Sequence, residues 1–127
     1  PQGALARILL LDQFSRNIHR HHPAAFACDA LALALAQEAV AAAADQELPE
    51  AQRAFLYMPY MHSESPAIHV LAVALSSQPG MADNLAFELR HNAIIDRFGR
   101  YPHRNALLGR VSTPEEIAFL QTPGSSF

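Results

Sequence analysis

Five polar residues lie within nine positions near the end of the sequence, where a helical run stops at Gly99. They are Arg97, Arg100, His103, Arg104 and Asn105. Guanidinium groups bind carboxylate or phosphate through two parallel hydrogen bonds, and loops carry functional residues more often than helices do. The segment therefore predicts a site for an anionic ligand. The alternative is that these side chains bind helix C-terminal carbonyls and the carboxylates of Asp96 and Asp12, which would lock the last helix in place.

A second group of polar residues lies on the strongly apolar stretch near the N-terminus. Asp12 and Arg16 are four positions apart, as are Gln13 and Asn17, so each pair can meet on one surface of a helix. A carboxylate and a guanidinium on a buried helix can position a polar ligand. The alternative is an internal ion pair, with Asn17 bonding a loop carbonyl, because buried charges need partners.

Four residues can supply acid-base chemistry, since histidine and carboxylate are the groups from which a general base or a metal site is built. These catalytic candidates are His62, Glu64, His91 and His103. The spacing of His62 and Glu64 is not a recognised metal-ligand spacing. His62 and His91 also continue apolar helix faces, on which a hydrogen-bonded core histidine is commoner. Convergence of His62, Glu64 and His91 in one cleft would favour a catalytic or metal site.

Composition argues against several classes of protein. Half of the 127 residues are hydrophobic and 17% are charged, which predicts one packed globular domain. A net charge of −3 gives no electrostatic reason to expect nucleic acid or an anionic membrane as partner. No apolar run approaches the roughly 20 residues of a membrane span. The single Cys28 excludes an internal disulfide and fits a cytoplasmic protein. We expect no cofactor and no metal ion, because no corresponding motif occurs.

The sequence predicts an all-α fold, because no segment shows the period-two alternation of a strand. Start and stop signals indicate about six or seven helices in a single domain, residues 1–127. Asp29 is the expected N-cap of the second helix, Pro59 is expected to kink or end the third, and Gly99 is expected to end the fifth. The face of the fifth helix predicted to be buried carries Phe87, His91, Ile94 and Phe98. His19, His21 and His22 are expected in a solvated loop.

Four segments, taken in order, resemble the bacterial "domain of unknown function 924" family. They are Leu9-Leu-Leu-Asp-Gln-Phe-Ser-Arg-Asn17, Phe55-Leu-Tyr-Met-Pro-Tyr-Met-His-Ser-Glu64, Arg97-Phe-Gly-Arg-Tyr-Pro-His-Arg-Asn105 and Ser112-Thr-Pro-Glu-Glu-Ile-Ala-Phe-Leu120. The resemblance implies a tetratricopeptide-like helical superhelix and no established activity, substrate or cofactor. It also implies that residues 1–127 are the larger, C-terminal part of the family domain, without the N-terminal helical segment that members usually carry.

Two functions from different classes remain open. The first is a binding or interaction module, in which a concave helical surface holds a peptide or a small anionic ligand through its arginines. The alternative is an enzyme, of hydrolase type, with His62, Glu64, His91 or His103 as acid-base groups. Arginines open to a groove would favour the binding module, and converging histidines would favour the enzyme. A homo-oligomer is compatible with either function.

Overall fold

Six helices make up the regular structure, and the computed structural model describes residues 1–127. The first helix, α1, is α-helical over Gln2–Leu9, π-helical over Leu10–Phe14 and α-helical again over Ser15–Ile18. The others are α2 (Asp29–Ala41), α3 (Glu50–His62), α4 (Pro66–Ser76), α5 (Ala82–Phe98) and α6 (Pro114–Leu120). No strand is present, so the prediction of a single all-α domain of about six or seven helices is confirmed.

Most helix ends follow their local sequence signals. Gly99 ends α5 in the left-handed conformation, with φ of 71°. Thr113 and Glu116 form a reciprocal capping box at the start of α6. The expected N-cap of α2 is wrong, because Cys28 occupies that position without a side-chain cap. Asp29 lies in the first turn instead, and its carboxylate bonds the guanidinium of Arg16.

Pro59 does not end α3, which continues to His62. Proline removes one backbone donor and crowds the preceding turn. On either side of it, Leu56, Tyr57, Tyr60 and Met61 are all buried, and tertiary packing of this kind overrides a local penalty. The last turn of α3 therefore stays helical and places His62 at the end of the helix.

The main core lies between the first four helices. Each helix from α1 to α5 packs against the next one, and α3 also packs against α1 and α5. Small alanine side chains of α2 pack against the larger Ile8, Leu56 and Tyr60. This combination of small and large side chains fills the space between closely packed helices. The tetratricopeptide-like superhelix implied by the family resemblance stays a prediction.

The buried face of α5 differs from the predicted one. Phe87 is 50% exposed, whereas Glu88 is completely buried beside Ile94 and Ile95. The apolar pattern of the sequence did not identify this face because its centre is a carboxylate. Glu88 can be buried because its Oε1 atom lies 2.5 Å from Nδ1 of His69, itself fully buried on α4.

One stretch, Pro23–Ala41, has the length and apolar composition of a membrane span: it is 19 residues long, and 22% of it is buried. This differs from the expectation that no apolar run approaches that length. The stretch combines a 3₁₀ turn, Pro23–Phe26, with α2. Asp29 within it bonds Arg16, and the core includes its residues Ala36 and Ala39. A core helix meets the same criteria of length and composition, so this is weak evidence for a membrane.

We expect the His69–Glu88 pair to be a large contributor to stability. Replacing Glu88 by Ala leaves a buried imidazole without its partner, and breaking a buried pair in this way costs about 3–5 kcal/mol. Urea denaturation measures the loss. The control is Glu38→Ala, at an exposed position of α2, where we expect a change within about 0.5 kcal/mol. Equal losses of unfolding free energy in the two variants would show that the His69–Glu88 pair contributes no more than an exposed glutamate does.

Candidate functional site

A cleft of about 600 Å³ opens between α1, the 3₁₀ turn Pro23–Phe26, the end of α3 and the C-terminal segment. Its lining contains no aspartate or glutamate. Its ionisable lining residues are three arginines and three histidines, namely Arg16, Arg20, Arg104, His21, His62 and His103. Phe26, Met58 and Phe127 supply apolar surface. The cleft is therefore cationic, although the whole chain carries a net charge of −3.

The π-helical turn of α1 adjoins this cleft and contributes Gln13 to its lining. Its residue Asp12 is 1% exposed. Oδ1 of Asp12 lies 2.8 Å from Nδ1 of His62 and 3.1 Å from Nη1 of Arg16, and Oδ2 accepts from Nε2 of Gln13. Burial opposes ionisation of Asp12, but the bond from His62 and the nearby cations lower its pKa below the usual value. One ionised carboxylate therefore orients three cleft side chains.

Arg16 is held by a second carboxylate. Two of its nitrogens, Nη1 and Nη2, each lie 2.8 Å from an oxygen of Asp29, in the paired geometry that arginine and carboxylate prefer. The predicted meeting of Asp12 and Arg16 on one helix surface is confirmed. Asn17 lines the cleft and is exposed.

Arg104 is the most enclosed cation of the cleft, with 5% of its surface exposed. It comes from the 3₁₀ turn Pro102–Arg104, and its Nη2 donates to the carbonyl of His62 at 2.9 Å. The guanidinium carbon stacks 4.5 Å from the ring centre of Phe26 and 4.8 Å from that of Tyr101. The nearest carboxylate oxygens, on Asp29 and Glu64, are at 3.7 and 3.9 Å. Nε of Arg104 is buried and has no hydrogen-bond partner.

Three of the other predicted ligand-binding residues near the C-terminus, Arg97, Arg100 and Asn105, lie outside the cleft, whereas His103 lines it. Arg97 stacks on Phe98 at 4.6 Å. Arg100 binds Glu116 through two nitrogens at 2.9 and 2.7 Å, and the buried Asn105 donates to the same carboxylate. Arg100 and Asn105 thus tie α6 to the segment before it, which is the locking role that the sequence left as the alternative, but the carboxylate is that of Glu116 and not the predicted Asp96 or Asp12.

The four catalytic candidates do not form a single site. Glu64 binds Arg110 through two bonds of 3.0 Å and accepts from the backbone nitrogen of Tyr101. Nδ1 of His91 lies 2.8 Å from the carbonyl of Phe87, one turn earlier in its own helix. Only His62 and His103 line the cleft. Burial is the largest influence on His103 and lowers its pKa to about 4, so the imidazole is neutral at pH 7.

Several residues of the site gave no clear signal in the sequence. Asp29 resembled a helix cap, Arg20 and His21 resembled a solvated loop, and Phe26 stood alone between alanines. Their proximity depends on the chain turning back at residues 19–28, which no local pattern specifies. The pair Asp12 and His62 is likewise separated by 50 positions.

A smaller cleft of about 390 Å³ adjoins the first and shares Phe26, His62 and Arg104 with it. Its wall includes Asp29 and Glu64, so it lacks the uniformly cationic lining. No group of three or more histidine, cysteine, aspartate or glutamate side chains is arranged to hold a metal ion. The expectation that no metal binds stays a prediction.

Residues 1–124 match the model of a family of bacterial proteins of unknown function, DUF924. This chain belongs to the DUF924 family. A solved structure of a protein of unknown function from Agrobacterium tumefaciens is similar to it, with 42% identity and a TM-score of 0.89. The match covers 93% of this chain and 66% of that one, so the chain spans just under two thirds of its relative's length. No curated protein is significantly similar.

The Arg100–Glu116 pair gives this DUF924 chain a testable dependence of stability on pH. The bond from Arg100 is the main reason that the pKa of Glu116 falls from 4.5 to about 2. A carboxyl group with a lowered pKa in the folded state stabilises the fold above its unfolded pKa. That contribution is lost as the pH falls from about 4.5 to about 2. We expect the free energy of unfolding to fall over this range.

The variant Glu116→Gln should show a flatter dependence on pH, measured by urea denaturation at a series of acidic pH values. Glu115→Gln is the matched control, because Glu115 is the adjacent, exposed residue of α6. A slope in Glu116→Gln as steep as that of the unaltered protein would contradict the assignment.

Proposed function

We propose that the cationic cleft binds a small anionic molecule through a carboxylate or phosphate group. The observation that carries the proposal is the lining itself, in which Arg16, Arg20 and Arg104 face one cleft without any carboxylate among them. Guanidinium groups suit these two anions because the donors form a planar fork. The volume of about 600 Å³ fits a metabolite-sized ligand or the end of a peptide.

Unpartnered polar atoms lie beside the cleft. Three buried side-chain polar atoms have no hydrogen-bond partner, and two of them, Nε of Arg104 and Nδ1 of His103, belong to adjacent residues of the cleft. Native folds leave few such atoms, and each needs an explanation. Nε itself is enclosed by the chain, so a bound anion would accept from the Nη atoms of this guanidinium, which has carboxylates only at 3.7 and 3.9 Å.

The arginines are also held in place before a ligand arrives. Asp12 and Asp29 fix Arg16, and aromatic rings fix Arg104 on two sides. Ordering a flexible side chain on binding costs about 0.5–1.5 kcal/mol, and a preorganised side chain avoids that cost. Arg20 is exposed and makes no ion pair, so it is the cleft arginine whose removal disturbs the fold least.

We expect Arg20→Gln to weaken the binding of succinate and of inorganic phosphate about threefold to tenfold, since one charge-assisted contact is lost. Isothermal titration calorimetry at low salt measures the dissociation constants. Arg7→Gln is the matched control, with the same change of charge at an exposed position of α1 outside the cleft. Equal weakening by the two substitutions would show only general electrostatic attraction and would refute a site at the cleft.

A hydrolytic activity is the second candidate, and one observation favours it. His62 bonds the buried carboxylate of Asp12 through Nδ1 and lines the cleft, which is how an orienting carboxylate prepares a general base. In such a reaction Nε2 takes a proton from water while the water oxygen bonds to an ester carbonyl carbon. The bond to the leaving oxygen then breaks, and that oxygen receives the proton.

The ester pair 4-nitrophenyl hemisuccinate and 4-nitrophenyl butyrate tests this candidate, because only the first carries an anionic group for the arginines. We expect faster hydrolysis of the hemisuccinate, with a loss of about a hundredfold or more in His62→Gln. Release of nitrophenol is followed by absorbance, and circular dichroism confirms that the variant folds. Equal rates for the two esters, or an unaffected His62→Gln, would rule out the activity.

A further inference from the structure

The two ring nitrogens of His62 have different surroundings. Nδ1 lies 2.8 Å from Oδ1 of Asp12. An ionised carboxylate can only accept, so the hydrogen of the neutral imidazole sits on Nδ1. Burial, which outweighs the opposite effect of Asp12, lowers the pKa of His62, and the ring is therefore neutral at pH 7. Nε2 thus carries a lone pair and no hydrogen.

Nε2 of His62 accepts no hydrogen bond within the chain and is not among the enclosed polar atoms without a partner. His69 shows the contrast. Its ring is fully buried, with Nδ1 2.5 Å from Glu88 and Nε2 2.6 Å from the carbonyl of Ser63. His69, whose role is structural, thus has both nitrogens bonded. His62 instead keeps one acceptor available at a cleft that it lines.

Two guanidinium groups are connected to His62 through hydrogen bonds. Nδ1 of His62 and Nη1 of Arg16 share one oxygen of Asp12, at 2.8 and 3.1 Å. Arg104 donates to the backbone carbonyl of His62 at 2.9 Å. All three side chains line the same cleft, so a ligand bound to the arginines occupies the space that His62 also borders.

We infer that the cleft selects anions that carry a hydroxyl group beside the charged group, as hydroxycarboxylates and phosphate esters of polyols do. The anionic group lies on the arginines, and the hydroxyl donates its hydrogen to Nε2 of His62. This inference rests on the proposed function, because the hydroxyl is recognised only in an anion that the arginines already hold.

An anion without the hydroxyl fits this arrangement less well. Its oxygens or its methylene groups face the lone pair of Nε2 of His62. That lone pair is then left without a donor, or it must retain a water molecule. A site built to bond a hydroxyl discriminates against the analogue that lacks it, because the polar group of the site then stays unpaired. The acceptor that His62 adds beside the arginines thus favours an anion that carries a hydroxyl group.

Two pairs of ligands of matched charge test the inference by calorimetry: malate against succinate, and glycerol 3-phosphate against n-propyl phosphate. We expect the hydroxyl-bearing member of at least one pair to bind about threefold to tenfold more tightly. The pair with the larger ratio identifies carboxylate or phosphate as the anchoring group. Equal affinities within both pairs would overturn the inference and leave the anion site intact. No binding of any of the four would refute the anion site as well.

Asp12→Asn tests the role of the tautomer. The amide of Asn has both a donor and an acceptor, so the ring hydrogen is no longer required on Nδ1; where the amide donates, the hydrogen moves to Nε2 and the acceptor becomes a donor. In that state we expect the ratio of affinities within the preferred pair to fall to about one, whatever the absolute affinity of the variant for anions. Asp45→Asn is the control, since Asp45 is another buried aspartate, bonded to Tyr57 and outside the cleft. Its ratio should equal that of the unaltered protein.

Nitrogen-15 NMR of the imidazole rings reads the tautomer directly and keeps the inference falsifiable if Asp12→Asn does not fold. We expect the unaltered protein to show His62 protonated on Nδ1 at pH 7. A ring protonated on Nε2 in the unaltered protein would overturn the inference, and so would an unchanged ratio in Asp12→Asn when NMR shows the hydrogen of His62 on Nε2.

Discussion

The buried carboxylate of Asp12 is the interaction on which the cleft depends. It lies in the π-helical turn of α1 and bonds His62, Arg16 and Gln13. A carboxylate can be buried only when several donors replace its lost hydration, so those three side chains are fixed as a condition of folding. The π-helical turn makes this possible, and such turns recur at functional sites because they re-aim side chains that a regular helix would space differently.

Charge balance explains how so many arginines can be packed near one opening. Arg16, Arg104 and Arg110 are matched by Asp12, Asp29 and Glu64. Asp29 and Glu64 line the adjoining smaller cleft, whereas no carboxylate lines the larger one. The paired groups are therefore nearly neutral as a set. Arg20 adds a charge that no carboxylate offsets. The ion pairs compensate for the hydration that the guanidinium groups lose on folding. An anion entering the cleft thus meets donors that are already oriented.

The sequence predicted well what is determined locally. Gly99 ended α5 as expected, and Thr113 and Glu116 form a capping box at the start of α6, because such signals act within one turn. It failed where tertiary partners decide, since Glu88 is buried because His69 lies on the neighbouring helix. Of the two outcomes expected at Pro59, an end of the helix does not occur, because apolar side chains around it are buried. Arg16 and Arg104 were recognisable as residue types, but their pairing through Asp29 requires the chain to turn back near Phe26, which no spacing in the sequence encodes.

The arginines of the C-terminal segment have two different roles, which the sequence alone does not distinguish. Arg100 holds Glu116 and so anchors α6, whereas Arg104 holds the carbonyl of His62 and faces the cleft. Glu64 connects the two regions, since it binds Arg110, lies 3.9 Å from Arg104 and accepts from the backbone of Tyr101. The segment that supplies the cleft's most enclosed cation is thereby clamped at several points. A guanidinium held this rigidly can discriminate between ligands by position, which a flexible surface arginine cannot do.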